Sequence, residues 1–335
     1  MSARAKKFLW MVALILFLGA LFLLSLAMRQ PEGFSSDIAW GVAFSRPWSE
    51  SLGLDWRKTY TAILDDLRPK SLRLPVYWPD VEVESGKYIW SDYDWMIYEA
   101  ERRGTELVLV MGRKVPRWPE CHAPEWAKVL DEKAQQEKIL VLLSEIVKRY
   151  KDKTNIYAWQ VENEPFLPFG ECPGPDVSFL QKEIDLVRSL DVSRPVMVTD
   201  SGEFGSWFRA AKRADIFGTT MYRIVWSPWL GYVKYPLPPK FFWLKANLVR
   251  LFYPHKPIIV SELQAEPWAH KRVYDISWEE QSKSLNLRQF RDNINYARAA
   301  GFPKVYLWGA EWWYWLKVKY NHPEFWEEAR QLFRG

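Results

Sequence analysis

The segment 156–190 reads IYAWQVENEPFLPFGECPGPDVSFLQKEIDLVRSL, and it contains the repeating unit that decides the fold. Its first part, Ile156–Val161, is a short and mostly apolar run of the kind that forms a buried strand. A loop rich in proline and glycine follows, and Val177–Leu190 then has the apolar spacing of an amphipathic helix. The segment therefore predicts one strand, one loop and one helix.

The same order of strand and helix recurs along the rest of the chain. The predicted strands span residues 38–44, 71–77, 106–111, 156–161, 195–199, 216–221, 257–261 and 304–308. The helices predicted to follow them span residues 55–67, 93–103, 132–150, 177–190, 206–213, 241–252, 287–300 and 324–333. Eight such units in succession predict an α/β fold, the (β/α)8 or TIM barrel.

The predicted loops differ in length between the two ends of the barrel. The loops from strand to helix are long, notably 113–131, 223–240 and 263–286, whereas the returns 68–70, 104–105 and 301–303 are short. Strand-to-helix loops build the functional face of a TIM barrel. We therefore expect the functional residues at the carboxyl ends of the strands.

An apolar segment precedes the predicted barrel. Residues 8–28 are uncharged and long enough to span a bilayer as a helix, and Arg4, Lys6 and Lys7 come before them. Basic residues on that side favour a cytoplasmic N-terminus and an extracytoplasmic barrel. This predicts a cytoplasmic stub with a transmembrane anchor (1–30), a linker (31–37) and the barrel domain (38–335). The alternative is a secreted protein whose signal peptide is cleaved after the small residues of Ser25-Leu26-Ala27.

The charge balance argues against a nucleic-acid partner. The chain has 46 basic and 41 acidic residues, and Arg4, Lys6, Lys7 and Arg29 account for almost all of the excess. The predicted barrel is therefore nearly neutral, without the basic surface that binds phosphate backbones. Its 21 tryptophans indicate a different partner, because an indole offers a wide apolar face for binding as well as for core packing.

The two cysteines are predicted to form a disulfide. Cys121 and Cys172 follow the third and fourth strands, so they lie in neighbouring loops on the same face of the barrel, in an oxidising compartment. Two cysteines and four scattered histidines give no metal-binding signature. We therefore predict a bond between Cys121 and Cys172, no metal site and no organic cofactor.

Carboxylates stand at the ends of two predicted strands. Strand four ends in Trp159-Gln-Val-Glu-Asn-Glu-Pro165, and strand seven ends in Ile258-Ile-Val-Ser-Glu262. Hydrolysis of an acetal between sugars requires two carboxyl groups that flank the scissile bond. Glu164 and Glu262 are the candidates, whereas Glu162 is interpreted as a solvated or capping residue. Strict strand alternation would send Asn163 and Glu164 to opposite faces, so a twist or bulge is expected there.

On these motifs the chain, from Trp40 to its C-terminus, resembles the clan A glycoside hydrolases and, within them, the family 5 cellulases and mannanases. Asn163-Glu164-Pro165 matches the clan's strand-four motif, which implies Glu164 as general acid/base and Asn163 as a donor to the sugar 2-hydroxyl. Glu262 matches the nucleophile. Two of the usual family 5 histidines are replaced, near Gly112-Arg113-Lys114 and in Thr220-Met221-Tyr222, so a neighbouring family of the clan fits equally well.

The resemblance also implies residues that contact the substrate or the nucleophile. Arg73 and Tyr222 match groups that bind the nucleophile, and Trp308 matches the platform beneath the sugar that is cleaved. Trp78 and Glu311 complete the predicted substrate-binding set; for Glu311, as for Trp312 and Trp313, a role in packing alone is the alternative. Further candidate platforms on the long loops are Trp118, Trp126, Trp226 and Trp229.

These features predict a monomeric retaining glycosidase that acts on an external, β-linked poly- or oligosaccharide. The first alternative is a non-catalytic, membrane-tethered glycan-binding protein on the same barrel, which would not need both carboxylates. A metal-dependent hydrolase is a second alternative, disfavoured because the histidines are not clustered.

Overall fold

The computed structural model describes residues 3–31 and 34–334, so residues 32 and 33 of the expected linker, and residues 1, 2 and 335, lie outside the described residues. Eight parallel strands close into a barrel in which each strand pairs with its neighbours in the chain and β1 pairs with β8. The strands are β1 Ala39–Ala43, β2 Ser71–Pro75, β3 Glu106–Met111, β4 Ile156–Val161, β5 Val196–Asp200, β6 Ile216–Met221, β7 Ile258–Gln264 and β8 Lys304–Trp308. The predicted (β/α)8 barrel is confirmed.

Helices surround this barrel. The longer ones are Ala3–Met28, Ser91–Glu101, Glu132–Tyr150, Val177–Leu190, Pro239–Phe252, Leu287–Ala300, Ala310–Tyr320 and Glu324–Arg334. Shorter helical segments are Arg46–Ser51, Trp56–Ala62 (continued by a π-helical turn, Ile63–Leu67), Trp78–Val81, Glu125–Lys128, Phe208–Arg213, Val273–Asp275 and Trp278–Gln281. Two elements were not predicted from the sequence: helix Ala310–Tyr320, and the antiparallel hairpin of Ile224–Ser227 and Gly231–Lys234 in the loop after β6.

The interior of the barrel changes from apolar to polar along the strands. An apolar cluster fills the middle, formed by Val108, Ala158, Met197, Ile216, Ile259 and Tyr306. Gly41 makes room for Tyr306, because a Cβ on Gly41 would lie only 2.8 Å from that ring. Two residues further along β4, β5 and β8 stand Gln160, Thr199 and Trp308, which alternation directs to the same side. The fold thus places a polar layer at the carboxyl ends of the strands.

Strand β7 contains an irregularity beside Glu262. Its pairing with β6 moves from Thr219↔Val260 to Thr220↔Glu262, and its pairing with β8 shifts across the same stretch. One extra residue on β7 against both neighbours is a β-bulge, a feature that redirects side chains next to active sites.

The predicted disulfide is confirmed. Cys121 and Cys172 are bonded, with their Cα atoms 5.3 Å apart, and they join the loops that follow β3 and β4. Asp176 then begins the next helix, where its carboxylate accepts hydrogen bonds from the backbone N–H groups of Ser178 and Phe179 at 2.9 Å. The disulfide therefore braces the loops after β3 and β4, on the face of the barrel that carries the polar layer.

The N-terminal helix packs against the barrel domain at its end. Within residues 3–31 and 34–334, the segment Arg4–Met28 is the one helix long and apolar enough to cross a membrane, by length and composition. Most of its side chains are exposed, but Leu26 is buried. Asn247, on helix Pro239–Phe252, donates hydrogen bonds to the carbonyl oxygens of Leu26 (2.8 Å) and Arg29 (2.9 Å).

Candidate active site

Glu262 lies in the polar layer with donors on both carboxylate oxygens. Arg73 donates to its Oε1 at 2.7 Å, and the Tyr222 hydroxyl donates to its Oε2 at 2.8 Å. Arg73 is completely buried and is fixed by Gln160 Oε1 and Asn163 Oδ1, both at 2.8 Å. Burial, followed by the charge of Glu262, raises the pKa of Tyr222 well above its ordinary value, so its hydroxyl stays a donor. A cation and a phenol thus donate one hydrogen bond to each oxygen of the Glu262 carboxyl group.

Glu164, in contrast, lies in an environment that favours the protonated form of its carboxyl group. It is 8% exposed, and its Oε1 accepts a hydrogen bond from the Thr220 hydroxyl at 3.1 Å. Burial, followed by the negative charges of Glu262 and Glu120, raises its pKa well above the ordinary value for glutamate. Glu164 therefore keeps its proton to a higher pH than an ordinary glutamate does.

The backbone after β4 explains how Asn163 and Glu164 reach the same side. Glu162 and Glu164 adopt left-handed conformations, with φ of 56° and 43°, which few residues other than glycine accept. Residues in this region carry strain of about 1–3 kcal/mol each and are frequent at active sites. The expected break in strand alternation thus coincides with a left-handed turn just after β4.

Glu162 has a structural role that differs from the expected solvated or capping one. Its side chain is buried, and it accepts hydrogen bonds from the backbone N–H groups of Arg113 (2.8 Å) and Lys114 (2.6 Å). Gly112 makes this approach feasible, because a Cβ on Gly112 would lie 2.4 Å from the Glu162 carboxyl group. Glu162 thus shapes the start of the loop after β3.

That loop brings an unforeseen third carboxyl group to the site. Burial, followed by the charge of Glu262, raises the pKa of Glu120 to about 8. The Asn163 amide donates to Glu120 Oε2 at 3.4 Å, and Lys114 donates to the backbone oxygen of Glu164 at 3.0 Å. Burial lowers the pKa of Lys114. Two signals in the sequence pointed to them: Glu120 adjoins Cys121, and Lys114 stands in the stretch where a family 5 histidine is replaced.

Trp308 ends β8 beside this group, and its ring is covered. The guanidinium of Arg117 lies 3.9 Å from the centroid of the Trp308 ring and 4.7 Å from that of Trp48. Arg117 forms ion pairs with Glu266 and, at 3.5 Å, with Glu311. Glu311 is 1% exposed, and burial raises its pKa to about 7.

Trp78 is not brought to the site surface with the other predicted residues. Its ring is completely buried, and its indole N–H donates to Glu82 Oε2 at 2.6 Å. It packs edge-on against Trp126 at a centroid distance of 5.6 Å, so neither its faces nor its N–H is open to a sugar. Trp118 and Trp229, in contrast, are exposed. Among the described residues, no group of three or more His, Cys, Asp and Glu side chains is arranged to hold a metal ion.

The closed barrel, with acidic residues at the ends of β4 and β7, has the architecture of the clan A glycoside hydrolases. Residues 93–312, more than half of the chain, match the sequence model described as "Glycosyl hydrolases family 2, TIM barrel domain". The chain belongs to this family. The motifs suggested family 5 or a neighbouring family of the same clan. Family 2 is such a neighbouring family.

Three solved structures with a similar fold are distant in sequence. A β-galactosidase from Rahnella sp. R3 superposes with a TM-score of 0.60 at 13% identity, over 89% of this chain and 56% of that one. Xylanase 10B from Thermotoga maritima gives 0.57 at 14% identity, over 88% and 95%. Endo-glycoceramidase II from Rhodococcus sp. gives 0.52 at 16% identity, over 83% and 75%.

This chain thus spans little more than half the length of the β-galactosidase. No curated protein matches its sequence.

Proposed function

We propose that this protein is a membrane-tethered, retaining glycoside hydrolase in which Glu262 is the nucleophile and Glu164 the general acid/base. The observation that carries the proposal is the opposed environment of the two carboxyl groups. Arg73 and Tyr222 bind both oxygens of Glu262, whereas burial and the charge of Glu262 keep the proton on Glu164. Pairs whose environments separate their protonation states in this way divide acid and base roles. The non-catalytic alternative would not require that separation.

The proposed reaction has two displacements. A Glu262 oxygen attacks the anomeric carbon while the bond from that carbon to the leaving oxygen breaks, and Glu164 transfers its proton to that oxygen. The resulting carboxylate of Glu164 then removes a proton from water, whose oxygen attacks the anomeric carbon and releases Glu262. Asn163 supports the first step: Arg73 donates to its Oδ1, so its amide N–H₂ points away from Arg73. One N–H meets Glu120 Oε2 at 3.4 Å, and the amide can also donate to a sugar hydroxyl.

The proposed substrate is an external, β-linked oligo- or polysaccharide. The names of the structural neighbours, a β-galactosidase, a xylanase and an endo-glycoceramidase, cover several sugars, so they support the bond type more than any one sugar.

The configuration of the first product tests the proposal. With an active β-glycoside from a panel of galactosides, mannosides, xylosides and glucosides, proton NMR in the first minutes should show the β-anomer before mutarotation. Two successive inversions at one carbon require this result. First formation of the α-anomer would exclude Glu262 as a nucleophile, and no hydrolysis of any glycoside would favour the glycan-binding alternative.

We also propose that residues 8–28 remain as the anchor and that the barrel lies outside the cytoplasm. Leu26 is buried and Asn247 binds the carbonyl groups of Leu26 and Arg29, so the end of the helix packs as part of the folded domain. Cleavage after Ala27 would remove Leu26 from that contact.

The protein should therefore stay with the membrane at high pH. Alkaline carbonate extraction releases peripheral and soluble proteins but not a spanning helix, so we expect the whole chain in the pellet. A soluble protein of the same compartment serves as the control. A mature form in the supernatant that starts near Met28 would mean a cleaved signal peptide instead.

A further inference from the structure

Arg117 occupies an aromatic cage at the mouth of the barrel. Its guanidinium lies over the rings of Trp48 and Trp308, at 4.7 and 3.9 Å from their centroids. Two carboxylates complete the cage: Glu266 accepts from Arg117 and also from the Trp48 indole N–H at 3.2 Å, and Glu311 is paired with Arg117 at 3.5 Å. With Arg117 in place, only 7% of Trp308 is exposed.

The groups of this cage are those that bind a sugar unit. Indole faces accept the apolar face of a pyranose, and carboxylates accept hydrogen bonds from its hydroxyl groups. The cage also adjoins the proposed catalytic pair, since Arg117 and Glu120 belong to the same loop and Glu120 lies within reach of the charge of Glu262. The resemblance already implies Trp308 as a sugar platform; we propose that Arg117 is the resting occupant of this subsite, and that a sugar binds by displacing the Arg117 side chain.

The exchange concerns the side chain and not the loop. The backbone is fixed on both sides of Arg117: Val115 N–H donates to the Glu120 oxygen at 2.9 Å, and the Tyr77 hydroxyl donates to the Pro116 oxygen at 2.9 Å. The disulfide fixes the loop at Cys121. A rotation about the side-chain bonds of Arg117 would be enough to expose Trp308.

The resting position of Arg117 is incompletely satisfied. Arg117 has a left-handed φ of 85°, and its Nε is buried without a hydrogen-bond partner. Glu311 Oε2 has the 3.5 Å ion pair with Arg117 but no hydrogen bond. Buried polar atoms without hydrogen bonds raise the free energy of the resting state, so the displacement of the Arg117 side chain costs less free energy. A sugar that donates to Glu311 and Glu266 would remove part of that cost.

The charges of the cage restrict the kind of sugar. When Arg117 leaves, Glu266 loses the cation beside it, so a uronic acid or a sulfated sugar would bring a further negative group next to that carboxylate. A neutral sugar instead offers hydroxyl donors to both carboxyl groups. This inference rests on the proposed function only for the place of the cage beside the catalytic pair, and it assigns neutral glycosides as the substrate class.

Binding measured without turnover tests the cage separately from the chemistry. The methyl 1-thio-β-glycosides of galactose, mannose, xylose, glucose and glucuronic acid, whose sulfur linkage resists hydrolysis, are titrated by calorimetry into the wild type, Arg117→Ala and Arg117→Lys. We expect Arg117→Ala to bind at least one neutral glycoside about tenfold more tightly than the wild type, because the competing occupant is gone. Arg117→Lys should fall between them, and the glucuronide should gain nothing.

Arg113→Ala is the matched control, since Arg113 lies on the same loop but pairs with Glu132. It should bind the neutral glycosides as the wild type does. The proposal is overturned if neither Arg117 variant binds a neutral glycoside more tightly, or if the wild type binds the glucuronide and the variants lose it, because Arg117 would then recognise an acidic sugar directly. Absence of hydrolysis, in contrast, would count against the proposed function and leave these affinities to be interpreted by themselves.

Discussion

Replacement of Glu262 by alanine should abolish turnover of every substrate, and azide should restore it with a product of opposite anomeric configuration. The substitution removes the proposed nucleophile but leaves Arg73 and Tyr222, the donors that bind its two oxygens. Removal of a nucleophile from a hydrolase costs on the order of 10⁶-fold in kcat. The vacated volume, with these donors at its edge, suits a small anion, and azide attacks the anomeric carbon in a single displacement. Rates with and without azide, and the NMR spectrum of the glycosyl azide, measure both effects.

Glu132→Ala is the control for Glu262→Ala, because Glu132 is a half-exposed carboxylate that pairs with Arg113 at the start of the next helix. It should keep near wild-type turnover and show no response to azide. If Glu262→Ala keeps its turnover, the reaction does not use Glu262. If azide restores turnover with retained configuration, Glu262 is the acid/base and not the nucleophile.

The sequence predicted the barrel well because its amphipathic units repeat. Each strand carries an apolar run and most outer helices carry one apolar face, so periodicity located eight units close to their structural bounds. Helix Ala310–Tyr320 escaped prediction because Trp312, Trp313 and Trp315 are all buried on different sides of it. A helix that is apolar on most sides lacks the periodic signal on which such predictions depend.

The local geometry of the candidate site was less predictable than its composition. Motifs identified Glu164 and Glu262, and the structure brings Arg73 and Tyr222 to Glu262 as expected. The bulge beside Glu262 and the left-handed turn at Glu164 depend on pairing with neighbouring strands and on Gly112, which are long-range features. Residue type alone does not report them.

Contacts made by loops were the least predictable part. Glu120 and Arg117 reach the site because the loop after β3 is held at Cys121 and by its own backbone hydrogen bonds. Trp78 was predicted to bind substrate, yet an acceptor four residues along the chain, Glu82, satisfies its N–H inside the core. An aromatic residue near a strand end can serve binding or packing, and only the tertiary contacts separate the two.

Replacement of Glu164 by alanine should give a loss that depends on the leaving group. With a 2,4-dinitrophenyl glycoside, which departs without a proton, the first step should stay close to the wild-type rate. With an alkyl glycoside or an oligosaccharide, turnover should fall by about 10²–10⁴-fold, the usual contribution of general acid–base catalysis. Stopped-flow release of dinitrophenol separates the first step from hydrolysis of the glycosyl-enzyme, which should become rate-limiting.

Azide and pH complete the assignment of Glu164. In Glu164→Ala azide attacks the glycosyl-enzyme after Glu262 has already inverted the anomeric carbon, so its product should have retained configuration, opposite to that from Glu262→Ala.

In the wild type, burial and the charges of Glu262 and Glu120 raise the pKa of Glu164, so its acid form persists to a higher pH than that of an ordinary glutamate. Activity on poor leaving groups therefore falls as the pH rises through that raised pKa. Glu164→Ala should lose this alkaline limb. Glu120→Gln is the informative control, because it removes one of the raising charges and should move the limb to lower pH without abolishing it. An unchanged limb in Glu164→Ala would assign the proton to another group of the site, and Glu120, whose pKa is about 8, would be the first to examine.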